Sequence, residues 1–411
     1  MPSVPEAQTP HSQHPPGGPR FPAGQGSLFT APFVLTCLAA FTFFLSHQLV
    51  LVAVPLYALD RGGSETDAGV LTLLFTSAAF LGRVPVGWAM DRWGRRPVMM
   101  AGTGIAAVSG LLYPAVKTMP ALFALRLFHG LAMALFSTAA AVVVTDVVPL
   151  PRRGEGMGFF GMGSNLALAL GPLASLAVVG RFSFAPLFAV SAAVALTGVA
   201  LGAAVRETGV RAPVSLSLRP GTVFVRRAIF PAVIMGMLTV AHGGVVTFLP
   251  LMGRARDLGN PGVFFTVAAI VLVAVRAKAG SLSDRLGRGP ILVPGMLLAA
   301  AAMVLLGISH GPRTLMAAGV FYGLGLGLAQ PALMALVADR VGEKERGRAI
   351  ATFYTGWELG IGLGAYVLGY LLAWTDFTVM YWAAGLMPAV GGLVYLLVPG
   401  RPERRSGAPA P

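Results

Sequence analysis

One of the sixteen acidic residues in this 411-residue chain, Glu358, lies deep inside a long apolar run. It stands about ten residues into that run, roughly 15 Å along a helix, near the middle of a bilayer. A carboxylate taken out of water carries its charge at high cost unless it is paired. That suits a proton carrier or a site for a cationic group; the plainer role is a protonated side chain that fastens helices. By itself such an acid points to a cationic or zwitterionic small-molecule cargo. Four basic residues, Arg83, Arg126, Arg276 and Lys278, also fall within apolar runs. Arg126 and His129 share one helical face at an i, i+3 spacing. An arginine stays charged at any accessible pH, so Arg126 cannot carry a proton itself. It can bias a neighbouring acid or a substrate carboxylate, or it can serve as hydrogen-bonding helix glue. His47, Gln48, Asn165 and His242 are further polar groups within apolar runs and are candidates for a cavity lining. No Cys-based metal site is possible with Cys37 alone, and no metal or cofactor is expected. No phosphate loop or HExxH pattern occurs, which disfavours a pump driven by ATP and a hydrolase.

These residues need membrane-spanning helices to hold them. The chain is 55% hydrophobic and 11% charged, too few charges to cover a water-soluble surface. A span needs about 20 apolar residues. Twelve are predicted, near 31–58, 67–90, 97–116, 120–144, 155–178, 184–205, 229–252, 260–282, 290–309, 313–337, 348–372 and 377–398. Period-two alternation is lacking, so the fold class is an all-α integral membrane protein and not a barrel. An even number of spans places both termini on one side. The opposite side carries only Arg61, Lys117, Arg181, Arg254, Arg256 and Arg313 among the loop cations. The positive-inside rule therefore makes the terminal side cytoplasmic. The same placement accounts for the net charge of +14 without a nucleic-acid partner. The localisation expected is the inner (cytoplasmic) membrane, multi-pass, with lipid as the surrounding partner and a functional monomer.

The second half repeats the first at a constant offset of 193 residues, the separation of Arg83 from Arg276. The same offset pairs Gly87 with Gly280, Asp91 with Asp284, Arg92 with Arg285, Gly94 with Gly287 and Arg95 with Arg288. Further along it pairs Asp146 with Asp339, Gly163 with Gly356, Asn165 with Glu358 and Gly171 with Gly364. Parallel six-helix repeats place a substrate between the halves near the midplane. The organisation expected is a disordered tail (1–27), a six-helix bundle (28–205), a polar, basic linker (206–228), a second bundle (229–398) and a short tail (399–411). No cleavable signal peptide is evident.

The stretch Gly87 to Arg96 reads GWAMDRWGRR, and its copy from Gly280 to Arg288 reads GSLSDRLGR. Gly87 allows close helix approach, Gly94 a tight turn, and Asp91 can accept hydrogen bonds from a neighbouring helix N-terminus. This doubled loop closely resembles the loop motif of the major facilitator superfamily. The resemblance implies that Asp91, Arg92 and Arg95 latch the outward-facing state, with Asp284 and Arg285 in the more structural copy. Arg126-Leu-Phe-His129-Gly130 resembles the R-x-x-Q-G stretch of proton-linked facilitators, with His129 in place of Gln, which implies a tie between Arg126 and proton coupling. Gly163, Gly171 and Pro172 resemble the Gly-Pro motif of twelve-helix drug and metabolite:proton antiporters, although Leu-Ala-Ser follows Pro172 where that family has glycines. The function implied is proton-coupled efflux of a small organic molecule by alternating access, not an enzymatic activity. An importer of the same fold, coupled or facilitative, is the alternative. A non-transporting sensor is disfavoured because no sizeable soluble module is present.

Overall fold

A computed structural model describes residues 27–208, 224–342 and 345–398, without the Ala277 side chain. The predicted tails, apart from Ser27, and residues 209–223 of the predicted linker lie outside the described residues. Twelve long α-helices follow one another: α1 (Ala31–Asp60), α2 (Glu65–Trp93), α3 (Arg95–Leu112), α4 (Met119–Val147), α5 (Arg153–Arg181) and α6 (Phe184–Ala204). The second set is α7 (Arg226–Ala255), α8 (Gly262–Leu286), α9 (Gly289–Gly307), α10 (Pro312–Arg340), α11 (Arg346–Trp374) and α12 (Phe377–Leu397). Eleven are long and apolar enough to cross a membrane as single helices. The twelfth, α8, is bent by 50° between Arg276 and Lys278. Helices are the expected solution, because a spanning segment must satisfy every backbone group internally.

Local sequence sets the helix ends. Ser64 and Asp67 form a reciprocal capping box at the start of α2, and the Asp376 carboxylate accepts from the first N–H groups of α12. Gly94 and Gly287 hold φ of +100° and +92° in the turns after α2 and α8, so the repeat at offset 193 is also a repeat of backbone conformation.

Within the first half α1 packs on α5 and α6, α4 on α2 and α3, and α3 on α6. The second half repeats the scheme, with α7 on α11 and α12, α10 on α8 and α9, and α9 on α12. The halves meet through α2 with α11, α5 with α8, and α1 with α7. Most of these contacts lie on the side away from the chain ends. Thr72 and Thr247 share a hydrogen bond of 2.9 Å, Thr266 donates to the Ala169 carbonyl at 2.6 Å, and Asn260 donates to the Leu173 carbonyl at 3.0 Å. Arg254 pairs with Asp60 at the rim away from the chain ends. Toward the terminal side the deepest described bond between the halves is the Arg83–Glu358 ion pair.

Candidate functional site

Glu358 is held by a helix with glycines on two faces. Gly356, Gly360 and Gly364 lie one turn apart and press α11 onto α7; a Cβ at Gly356 would overlap the Ala232 backbone. On the other face, Gly362 lies against Thr76 and Leu73 of α2. The helix is thus clamped between its own half and the opposite one. Glu358 is 7% exposed. Arg83, from α2 of the other half, donates an Nη2 hydrogen bond to its Oε1. The Arg83 guanidinium also lies 6.0 Å from the Tyr354 ring centroid, one turn before Glu358. Glu358 Oε2 and Arg83 Nε are buried without a hydrogen-bond partner among the described residues. The acid that reads as isolated in the sequence is therefore one member of an ion pair between halves. Arg83 was visible as an intramembrane arginine, but no local pattern tied it to Glu358, which is 275 residues away.

The other intramembrane candidates divide into separate groups. Arg126 and His129 do not join Glu358. Both are 1% exposed inside the first half. Arg126 donates to the Leu71 carbonyl at 3.3 Å and the Tyr113 hydroxyl at 3.5 Å, and its guanidinium lies 4.5 Å from the Phe75 centroid. His129 Nδ1 shares a hydrogen bond of 3.1 Å with Tyr113, and His47 stacks on Phe75 at 5.0 Å. His242 Nδ1 is bonded to the Tyr322 hydroxyl and its ring lies 5.6 Å from Trp357, next to Glu358 in sequence. Tyr322 is the offset-193 equivalent of His129, so that position forms a His–Tyr hydrogen bond in each half, although with partners from different elements, Tyr113 after α3 and His242 on α7. Asn165 is half-buried on α5. Gln48 packs against Gly171, where an added Cβ would come within 2.5 Å of Gln48 Cβ. A Cβ at Gly163 would lie 3.5 Å from Phe41, and Pro172 is buried within α5. Gly163 and Gly171 thus line the α1–α5 contact.

The loop after α2 differs in one respect from its expected chemistry. Asp91 is exposed and makes no described hydrogen bond. The acceptor at the α3 N-terminus is Glu207, which takes the Arg95 and Arg96 N–H groups at 2.9 and 3.2 Å. Two carboxylate oxygens spanning adjacent N–H groups satisfy the helix end better than Asp91 can from the preceding helix. Glu207 carried no motif in the sequence. Its carboxylate lies against Gly94, where a Cβ would meet it at 2.5 Å. The Arg95 guanidinium pairs with Asp146, and Arg288 pairs with Asp339 at 2.9 Å, the same bridge in each half. Asp284 also pairs with Arg288. Arg92 lies 5.7 Å over the Trp88 ring. Gly87 has open space where a side chain would go. Among the described residues, no cluster of His, Cys, Asp and Glu could hold a metal ion.

Known proteins share this arrangement. The staphylopine export protein of Staphylococcus aureus (strain Mu50 / ATCC 700699) is 23% identical over 373 residues, covering 87% of this chain and 94% of that protein. The 3-(3-hydroxy-phenyl)propionate transporter of Escherichia coli (strain K12) is 30% identical over 164 residues, 40% of this chain and 39% of the relative. The crystal structure of the nucleoside transporter NupG superposes with a TM-score of 0.74 at 15% identity, covering 89% of this chain and 99% of the other. Residues 36–277 and 262–411 match the Major Facilitator Superfamily, so both halves carry its pattern. With its two six-helix bundles, this chain belongs to the major facilitator superfamily, the membrane transporters of small molecules.

Proposed function

We propose that this transporter is a proton-coupled exporter of a small organic molecule and that the Arg83–Glu358 pair is its coupling element. The observation that carries the reading is one buried ion pair that bridges the two halves. With both members charged, the pair fastens α2 to α11 and favours the state described. A proton on Glu358 cancels its charge and releases Arg83, removing the attraction between the halves. The free Oε2 is the atom able to accept that proton. A ligand or proton shifts such an equilibrium only through differential binding to the two states. This pair provides the difference, because it spans the moving interface.

The excess of basic residues on the terminal side supports its assignment as cytoplasmic, and with it both termini. The staphylopine export protein, similar over most of both chains, supports export as the direction. The Arg126 environment supports the fastening role in this state, because its guanidinium joins α2, α4 and Tyr113 inside one bundle. Asp91, free here, is available to latch the loop in the opposite state.

The test is Glu358→Gln in vesicles with an imposed pH gradient. Gln preserves size and hydrogen bonding but cannot take up a proton. The variant should lose uphill transport and retain downhill exchange of cargo. Accumulation equal to the parent would leave Glu358 a structural role alone.

A further inference from the structure

The charges within the spans do not balance. Glu358 is the one acid, and it is already occupied by Arg83. Arg126 is enclosed within the first half. That leaves Arg276, the repeat equivalent of Arg83, on α8. Its Nη2 donates to Oε1 of Gln330, a neutral amide, and no acidic partner is described for it. Its Nε is buried without a partner, as is the Nε of Arg83. Arg276 and Arg83 hold matching places in the repeat, each ten residues from the end of its helix. Lys278, exposed two residues further along, adds positive charge on the same helix.

A half-buried guanidinium facing only an amide is under-compensated. Its planar fork matches a carboxylate, which it binds through paired, charge-assisted hydrogen bonds. We propose that the protein takes an organic anion, its carboxylate seated on the Arg276 guanidinium beside Gln330. The cargo is then an organic acid or a zwitterion bound through its acid group, and not the simple cation that a lone membrane carboxylate suggests. This rests on the transport reading above, and it names the class of cargo.

Binding, read without a gradient, separates this inference from the coupling mechanism. The protein in lipid nanodiscs is titrated with monocarboxylates from acetate to decanoate and with 3-phenylpropionate; 3-phenylpropylamine and 3-phenylpropanol serve as matched controls. Unfolding temperature reports binding, and isothermal titration gives the affinity. At least one carboxylate should stabilise the parent, while the amine and the alcohol should not. Arg276→Gln should weaken that carboxylate about tenfold or more, the loss expected for a charge-assisted hydrogen bond. Arg276→Lys, which keeps the charge and loses the fork, should fall between and serves as the folded control if Gln proves unstable. Stabilisation by the amine and not by any acid overturns the proposal. So does the absence of any carboxylate effect, or parent-like affinity in both variants. If acids bind through Arg276 while Glu358→Gln still drives uphill transport, the coupling reading falls and the anion site stands.

Discussion

At the residue scale, Arg83 and Glu358 illustrate why a buried ion pair is a better switch than a staple. Desolvating two charges offsets much of their attraction, so such a pair adds little net stability, yet removing one partner is costly. The Arg83 side chain is 31% exposed, so the loss should fall below the ~3–5 kcal/mol of a fully enclosed pair. Arg83→Glu and Glu358→Arg should each lower the unfolding temperature in detergent and abolish transport, since each sets like charges face to face. The double exchange should recover most of the unfolding temperature and part of cargo exchange. Additive losses in that cycle would mean the two side chains do not act on each other.

At the scale of the element, α11 and α12 show how local sequence serves the site. The glycines of α11 let its backbone lie against α7 and α2 at once, and this close approach fixes the depth at which Glu358 emerges. The following helix starts at Asp376, outside the membrane span, where the carboxylate accepts the Val379 and Thr378 N–H groups at 3.0 and 2.6 Å. Those backbone hydrogen bonds, Val379 first, hold the Asp376 carboxyl below the ordinary carboxylate range. A group lowered by folding contributes stability at pH values above its unfolded range and loses it as pH falls through its folded range. Asp376→Ala should therefore lower the unfolding temperature at neutral pH. The gap to the parent should narrow as pH drops toward about 3, below the unfolded Asp range. A gap of constant size across that range would assign the effect to something other than the capping charge.

At the scale of the whole molecule, the two halves are alike in chain path and unlike in charge. Both carry the Arg–Asp bridge between the loop and the neighbouring helix, Arg95 with Asp146 and Arg288 with Asp339. They differ at the loop acid. Asp284 is already paired with Arg288, whereas Asp91 is free in the state described. An acid that makes its contact only in the opposite state shifts the balance when neutralised; one engaged within a single half does not. Asp91→Asn should slow transport about tenfold, equivalent to a bias of about 1.4 kcal/mol between states. Asp284→Asn, which loses an exposed pair, should change it less than about twofold. Initial rates in matched vesicles decide this, and equal rates for Asp91→Asn and the parent would remove the latch.

The sequence by itself determined the class of fold, the number of spans and the duplication. Each depends on local or periodic properties: runs of apolar residues, their length against a bilayer, and motifs held at an offset of 193. It also marked Glu358 and the intramembrane arginines as costly and therefore worth attention. The partners of those charges were decided only by the tertiary structure, because pairing depends on how two six-helix bodies dock and not on spacing within either. Glu358 meets Arg83 across the interface, while Arg126, an equal candidate by sequence, turns into its own bundle against Phe75 and Tyr113. The α3 N-terminus is satisfied by Glu207, more than a hundred residues away, and not by the adjacent Asp91. A side chain three turns along a helix can face lipid, core or cleft with the same local sequence, and only packing against the neighbouring helices selects among them.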